Sequence, residues 1–254
     1  MSGESLPALS MPRLILWRHG RTEWNAAGRF QGQLDPPLDE VGRRQAAVAA
    51  PQLVATGLSA ADTVVVSSDL IRAAETAATL SDLLGVPLQL DKRLREHAMG
   101  VWEGLTRSEV ADRYPEQYAD WVAGRPVRGR GGEDPSAVAA RALAALADLE
   151  PAATVVVVSH GGTAGRLTEH LLGLTTDHRR LLGPLGNCAW SELVSQGSHW
   201  RLLRHNISPL LPSGGAPGVT GTSTALRAAP APGRLGASSD AGASPPAEDA
   251  DAVV

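Results

Sequence analysis

Three apolar runs in this chain each stop at residues that can hold or attack an anion. Leu14-Ile15-Leu16-Trp17 is followed by Arg18-His19-Gly20. Thr63-Val64-Val65-Val66 is followed by Ser67-Ser68 and then Arg72, and the run from Thr154 to Val158 by Ser159-His160-Gly161-Gly162. A guanidinium presents a planar fork of donors that suits phosphoryl oxygens. A neutral imidazole is a nucleophile that can take up a phosphoryl group and pass it on, splitting one difficult step into two. Taken singly, a histidine or arginine at the end of a strand has an ordinary structural reading. Four such residues at comparable positions make a candidate anion pocket of Arg18, His19, Arg72 and His160.

Those residues meet only if the apolar runs are strands of one sheet. Their β-branched richness supports that assignment. Between them the pattern becomes helical. One helix is expected from about Asp39 to Ala55, capped by Asp39 and kinked at Pro51. A second runs from about Asp69 to Leu84, with Ala73, Ala77, Leu80 and Leu84 on one face and Gly85 in the left-handed position that ends it. A third covers about Ser136 to Leu149, and a fourth follows Gly161-Gly162 and ends near Gly173. Strands alternating with helices predict an α/β fold, a three-layer α/β/α sandwich with a mostly parallel central sheet. Ligands of such sheets bind beyond the carboxyl ends of the strands. Helices starting after residues 68 and 161 would add free N–H groups and partial positive charge there.

Composition narrows the partners. The formal net charge of −4 argues against a general nucleic-acid binder. The single cysteine, Cys188, excludes an intramolecular disulfide and a cysteine-rich zinc site, and reads as a small core residue in a reducing cytoplasm. No apolar run approaches the ~20 residues needed to cross a bilayer, so no membrane association is expected. Residues 1–10 make a poor signal peptide and read as a disordered extension, with Met11 an alternative start. Residues 206–254 are rich in Pro, Ala, Gly and Ser without apolar periodicity, and read as a disordered tail. One folded domain, residues 11–205, remains. Glu169, His170 and His178 lack the spacing of a metal motif, and neither a metal nor another cofactor is expected. Trp24, Trp102 and Trp121 either line a pocket or simply pack.

The segment Leu16-Trp17-Arg18-His19-Gly20-Arg21-Thr22-Glu23-Trp24-Asn25 resembles the opening signature of the histidine phosphatase superfamily, the phosphoglycerate mutase-like branch 1. Further matches follow in the family's order: Gln31-Gly32, Ser67-Ser68-Asp69-Leu70-Ile71-Arg72-Ala73, Leu94-Arg95-Glu96, Gly100-Val101-Trp102-Glu103-Gly104, Gly132-Glu133 and Ser159-His160-Gly161-Gly162. Together they span nearly all of residues 12–205. The resemblance implies a metal-independent phosphoric monoester hydrolase with a phosphohistidine intermediate. His19 would be the nucleophile, with Arg18, Arg72 and His160 holding the phosphoryl oxygens. Asn25, Gln31 and Gly161 would add neutral contacts to substrate, and Glu96 would be the general acid. That last role asks for a raised Glu96 pKa, and His19 asks for an acceptor near Gly20 to hold its other nitrogen.

The partner implied is a small phosphorylated metabolite, with a homodimer left open. Phosphoglycerate mutases share the signature and carry a longer insertion between the acid and the second histidine. The stretch from 97 to 159 is compact here, which favours hydrolysis over mutase activity. All five core positions are filled, which disfavours a non-catalytic regulator that only binds a phospho-ligand. Gly28 to Asp35 and Leu182 to Trp190 resemble the glucosyl-3-phosphoglycerate phosphatases of actinobacteria, which implies that substrate. Arg125, Arg128 and Arg130 form a loop that would either meet a second anionic group of the substrate or stay solvated. His97 would either touch substrate or lie at the surface.

Overall fold

The computed structural model describes residues 9–175, 178, 181–197 and 199–210. Among them six strands form one sheet: β1 (Arg13–Arg18), β2 (Thr63–Ser67), β3 (Leu88–Leu90), β4 (Thr154–Ser159), β5 (Trp190–Gln196) and β6 (His199–Ile207), in the order β3-β2-β4-β1-β5-β6. The helices are α1 (Glu23–Ala26), α2 (Glu40–Val54), α3 (Ile71–Leu84), α4 (Arg107–Arg113), α5 (Pro115–Val122), α6 (Pro135–Ala147) and α7 (Gly161–Leu171). β4 pairs in parallel with both β1 and β2, and β3 extends the parallel set beyond β2. β5 and β6 add an antiparallel hairpin on the other side of β1. The sheet is therefore mostly parallel, as the sequence implies.

The two-residue period of the strands sorts their side chains between two helical layers. Leu14, Leu16, Val155 and Val157 pack against α6 and α7 through Ala142, Leu143, Leu146, Leu167 and Leu171. Ile15, Trp17, Val65, Val156 and Val158 pack against α2 and α3 through Ala46, Ala49, Leu53, Ala77 and Leu80. With both faces covered, the central strands carry unbroken apolar runs rather than alternating ones. Asp39 caps α2, its Oδ1 accepting from the Gly42 N–H at 2.7 Å, and Gly85 ends α3 at φ +70°. Pro51 lies inside α2, which continues to Val54.

A third cluster stands apart from the sheet. Phe30, Met99, Trp102, Val110 and Trp121 form it, with ring centroids 5.1 Å apart for Phe30–Trp102 and 5.4 Å for Phe30–Trp121. Trp102 and Trp121 are thus packing residues and not pocket lining. The cluster supports the loops around residues 30 and 100.

The expected domain limits shift at both ends. β6 continues to Ile207, two residues into the expected tail, and Leu210 exchanges hydrogen bonds of 3.0 and 3.1 Å with the Gln52 side-chain amide. At the other end Leu9 packs against the core and Ser10 Oγ donates to the Leu149 carbonyl at 3.2 Å, so the last two residues of the expected extension belong to the fold. The rest of both expected segments, residues 1–8 and 211–254, lies outside the described residues. Among the described residues no helix is long and apolar enough to cross a membrane.

Candidate active site

The parallel pairing of β1 with β4 ends at Arg18 opposite Ser159, and each strand then delivers a histidine. The His19 N–H donates to the Ser159 carbonyl at 3.0 Å, and the His19 and His160 ring centroids lie 5.2 Å apart. His19 Nδ1 meets the Gly20 carbonyl at 2.7 Å. A carbonyl only accepts, so Nδ1 carries the proton and, in the neutral ring, Nε2 carries the lone pair. Burial pushes the His19 pKa well below its usual value, and the charges of Arg72, His160 and Arg18 push it further, against the opposing pull of the Gly20 carbonyl.

The turn after His19 is fixed from several sides. The Gly20 N–H donates to Thr76 Oγ1 at 3.0 Å, and the His19 carbonyl accepts from the Cys188 N–H at 3.0 Å. A Cβ on Gly20 would come within 2.5 Å of the Gly42 carbonyl oxygen, so glycine there lets the first turn of α2 approach the loop.

The two arginines are aimed by main-chain carbonyls. Arg18 Nη1 donates to the Leu185 carbonyl at 2.7 Å. Arg72, in the first turn of α3, donates to Leu34 O at 2.7 Å and Gly32 O at 2.8 Å. These neutral acceptors orient the guanidiniums without cancelling their charge, and the exposed Asp35 carboxylate stands 3.9 Å from Arg72 Nη1. His160 Nε2 lies 2.9 Å from Ser68 Oγ, while its Nδ1 is buried with no hydrogen-bond partner in the protein. Burial, followed by the Arg72 charge, holds His160 well below the usual histidine pKa.

Glu96 departs from expectation. Its Oε1 accepts from the N–H groups of His97 and Thr163, both at 2.9 Å, and from Thr163 Oγ1 at 3.1 Å. Its Oε2 accepts from the Gly162 N–H at 2.9 Å. Burial pushes the carboxyl up, but the His97 side chain first, then nearby His160 and the Gly162 N–H, outweigh it and hold Glu96 well below the usual carboxylate range. The expected raised pKa is therefore corrected to a lowered one. The free pocket stabilises the carboxylate through the His97 side chain first, with the Gly162 N–H at the start of α7 adding to it.

That geometry also corrects the expected use of the helix starts. Gly162 and Thr163, in the first turn of α7, give their N–H groups to Glu96. The N–H of Ile71, first in α3, goes to Asp35 Oδ1 at 2.7 Å. Protein carboxylates take these three N–H groups, and the side chains of Arg18, Arg72 and His160 stand beside them as cationic and donor groups.

All five core residues converge, and none is more than 1% exposed. Asn25 joins them through Asn187, whose Nδ2 donates to the His19 carbonyl and to Asn25 Oδ1, both at 3.3 Å, and Thr22 ties Gln31 to Asn25: its N–H donates to Asn25 Oδ1 at 3.0 Å and its Oγ1 to Gln31 Oε1 at 3.1 Å. Gly161 opens α7 between His160 and Gly162. His97 is buried against Glu96, with Nδ1 3.4 Å from Oε1, and is not a surface residue. The three loop arginines do not act as a set. Arg125 pairs with Asp120 at 2.8 Å, Arg128 is exposed, and Arg130 is buried with its guanidinium 5.1 Å over the Trp102 ring. Glu169 pairs with Arg166 at 2.7 Å, and His178 Nδ1 meets Thr175 Oγ1 at 3.0 Å. Among the described residues no group of His, Cys, Asp or Glu is placed to hold a metal ion.

Sequence reasoning missed the residues that hold the others: Thr22, Ser68, Thr76, Gly162, Thr163 and Arg141. Thr22, Ser68 and Gly162 lie within the matched motifs, and Gly162 also leaves a signal as the second glycine of a pair. A Cβ there would come within 2.5 Å of His97 Nδ1 and 2.7 Å of Glu96 Oε1. Arg141 grips Glu133 through Nε and Nη2 at 2.9 and 3.0 Å and donates to the carbonyls of Arg93 and Glu96, while Glu133 accepts from the Ala98 N–H at 2.8 Å.

Buried positive charge around a histidine kept neutral suits a group that is anionic when bound and electrophilic at its centre, and fold and pocket together define the phosphoryl-transfer class. The family model described as the histidine phosphatase superfamily (branch 1) matches residues 14–208. The chain belongs to that family, and it is a phosphoric monoester hydrolase. It is 40% identical over 192 residues to the glucosyl-3-phosphoglycerate phosphatase of Mycolicibacterium vanbaalenii, covering 72% of this chain and 84% of that one. It is 38% identical over 194 residues to a probable phosphoglycerate mutase of Cronobacter sakazakii, covering 75% and 88%. Among solved structures it is similar to a mycobacterial glucosyl-3-phosphoglycerate phosphatase in complex with VO3, with 37% identity, 78% of this chain and 100% of that chain covered, and a TM-score of 0.70.

Proposed function

We propose that the chain hydrolyses a small phosphorylated metabolite, glucosyl-3-phosphoglycerate, through a phosphohistidine on His19 Nε2. The observation that carries this reading is the bond between His19 Nδ1 and the Gly20 carbonyl, which leaves the opposite nitrogen as the nucleophile. The relatives at 37–40% identity that bear that phosphatase's name support the substrate. The similar mycobacterial phosphatase forms a complex with VO3, an oxyanion, which supports a pocket for anions here. We place the reaction in the cytoplasm, a compartment that a lone buried thiol at Cys188 suits.

In the first half-reaction His19 Nε2 attacks phosphorus, and the bond from phosphorus to the ester oxygen breaks. Arg18, Arg72 and the Nδ1 side of His160 meet the charge that spreads over the phosphoryl oxygens. The leaving alkoxide needs a proton, and Glu96 supplies it. Glu96 is ionised in the free pocket, but an arriving phosphate adds negative charge beside it and raises its proton affinity. In the second half-reaction water attacks the phosphohistidine, the Glu96 carboxylate takes the water's proton, and His19 is released with inorganic phosphate. No step needs a metal, because guanidinium and imidazole groups carry the electrostatic role.

The mutase relatives favour a second reading in which the phosphoryl group returns to a bound hydroxyl instead of water. One experiment separates the two. Phosphate release is measured from glucosyl-3-phosphoglycerate, 3-phosphoglycerate and phosphoserine, with His19→Ala as control. Net release from the first substrate, abolished by His19→Ala, is the expected result. Interconversion of phosphoglycerates without release would replace hydrolysis by the mutase reading, and full activity in His19→Ala would overturn the mechanism.

A further inference from the structure

Ser68 has no role in the reading above, yet it touches two of the pocket's elements at once. Its N–H donates to the Val158 carbonyl at 3.0 Å, carrying the β2–β4 ladder one step past the last paired residue. Its Oγ accepts the N–H of Leu70 at 3.2 Å, the residue that caps the start of α3 and so precedes Arg72. The same Oγ lies 2.9 Å from His160 Nε2. A serine hydroxyl owns one hydrogen. The Leu70 N–H can only donate, so that bond occupies one of the hydroxyl's two lone pairs and leaves the hydrogen and the second lone pair for the imidazole.

We propose that Ser68 is a positioning residue that donates its O–H to His160 Nε2 and thereby holds His160 in the tautomer protonated on Nδ1, the nitrogen that then donates to the phosphoryl group. The phosphoryl contact rests on the proposed function, whereas the tautomer does not. Two observations support the direction of the bond. His160 Nδ1 is buried and has no protein partner, so whatever it presents faces the pocket unshared. Two guanidiniums make that pocket a place for anions, and an anion meets an N–H favourably and a bare lone pair unfavourably. The reverse arrangement, with Nε2 donating to Oγ, would turn the lone pair towards the anion and leave the buried Ser68 hydrogen in search of another acceptor.

The two neighbouring imidazoles then receive opposite tasks from the kind of oxygen each is given. His19 faces a carbonyl, which can only accept, and is left with a bare nitrogen for attack. His160 faces a hydroxyl whose hydrogen is free to be given, and is left with an N–H for holding.

The test uses full-length, 15N-histidine-labelled protein without ligand. Long-range 1H–15N correlations of the His160 ring are recorded for the unsubstituted chain, Ser68→Ala and Ser68→Thr, beside p-nitrophenyl phosphate kinetics. We expect a neutral His160 ring protonated on Nδ1 in the unsubstituted chain and in Ser68→Thr, and a mixture of tautomers in Ser68→Ala. We expect kcat in Ser68→Ala to fall roughly 10- to 100-fold with a smaller change in KM, the usual scale for a partner that orients a functional imidazole, and Ser68→Thr to recover most of it. A ring protonated on Nε2 in the unsubstituted chain would overturn the proposal, as would an unchanged kcat in Ser68→Ala. If the unsubstituted chain hydrolysed nothing, the functional reading would fail, and the ring nitrogens alone would decide the role of Ser68.

Discussion

The two sides of the pocket are built by different means. On the sheet side, Arg18, His19, Ser68 and His160 follow directly from paired strands, and the main-chain bonds from His19 to Ser159 and from Ser68 to Val158 set their positions. On the loop side, Glu96 sits outside the strands, two residues past the Leu94 carbonyl that accepts from Ser159 Oγ at 2.7 Å. It is held by the N–H groups at the start of α7, by Arg141 on α6 and by the Glu133 carboxylate that ties down Ala98. Backbone pairing places the nucleophile, and side chains place the acid. Substitutions should therefore separate stability from activity differently on the two sides.

The largest effect is expected from removing the acid itself. Glu96→Gln keeps the shape but has no proton to give, and kcat should fall by about 10²–10⁴-fold on an alkyl phosphate. The loss should be much smaller on p-nitrophenyl phosphate, whose leaving group needs little help. Equal losses on the two substrates would remove Glu96 from the acid role.

Gly162→Ala comes next. Its Cβ would crowd both His97 Nδ1 and Glu96 Oε1, so the carboxylate must move. A displacement of that kind should lower kcat by about 10- to 100-fold, and the crowding should also lower stability by about 1–3 kcal/mol. Urea denaturation beside kinetics reads both.

A matched pair then sharpens the contrast. Thr76→Val strips the Gly20 N–H of its acceptor on the sheet side and should lower stability by about 1–3 kcal/mol while leaving kcat within a few fold, since strand pairing still holds His19. Arg141→Ala should do the opposite: a modest loss of stability and a kcat reduced by roughly tenfold on alkyl phosphates, as the Glu96 segment loosens. Similar profiles for the two variants would erase the distinction between the sides.

The smallest effect is a pH dependence. Burial first, and then Arg72, place His19 and His160 below their usual value of 6.5. The unfolded chain thus binds more protons than the folded one near and below that value, so stability falls as pH drops through it. Unfolding free energy measured from about pH 8 to about pH 5 should decline, and His160→Gln should flatten part of the decline. For the same reason the acid limb of kcat/KM should lie well below 6.5, because His19 stays neutral further into acid.

The same contrast explains what was legible in the sequence. The central strands showed because burial on both faces demands unbroken β-branched runs, and the flanking helices showed through their periodicity, the Asp39 cap and Gly85. β5 and β6 did not show. β6 is the sheet's edge, its residues are half exposed or exposed, and it mixes His199, Arg201, Arg204 and His205 with Trp200 and Leu202. Its exposed end at Asn206 and Ile207 lacks the apolar pattern that would mark it as part of the domain. In the pocket the chemically active residues carried a recognisable order. Thr22 and Ser68 lie within that order and Arg141 outside it, but none shows a role, because the partners of Ser68 and Arg141 are brought near only by folding. The Glu96 environment is hidden in part for the same reason: beside His97, two of its N–H donors come from α7, far away in sequence.

The registration of β1 with β4 has one more consequence. His19 and His160 each follow a paired residue, so the 5.2 Å between their rings is close to the ~4.8 Å spacing of neighbouring strands. The sheet acts as the ruler for the gap across which the phosphoryl group would sit. A gap measured this way cannot drift by local fraying, since changing it means opening the middle of the sheet. In native-state hydrogen exchange the His19 amide should accordingly exchange only on global unfolding, while the Ala98 amide, held by the Glu133 side chain, opens sooner.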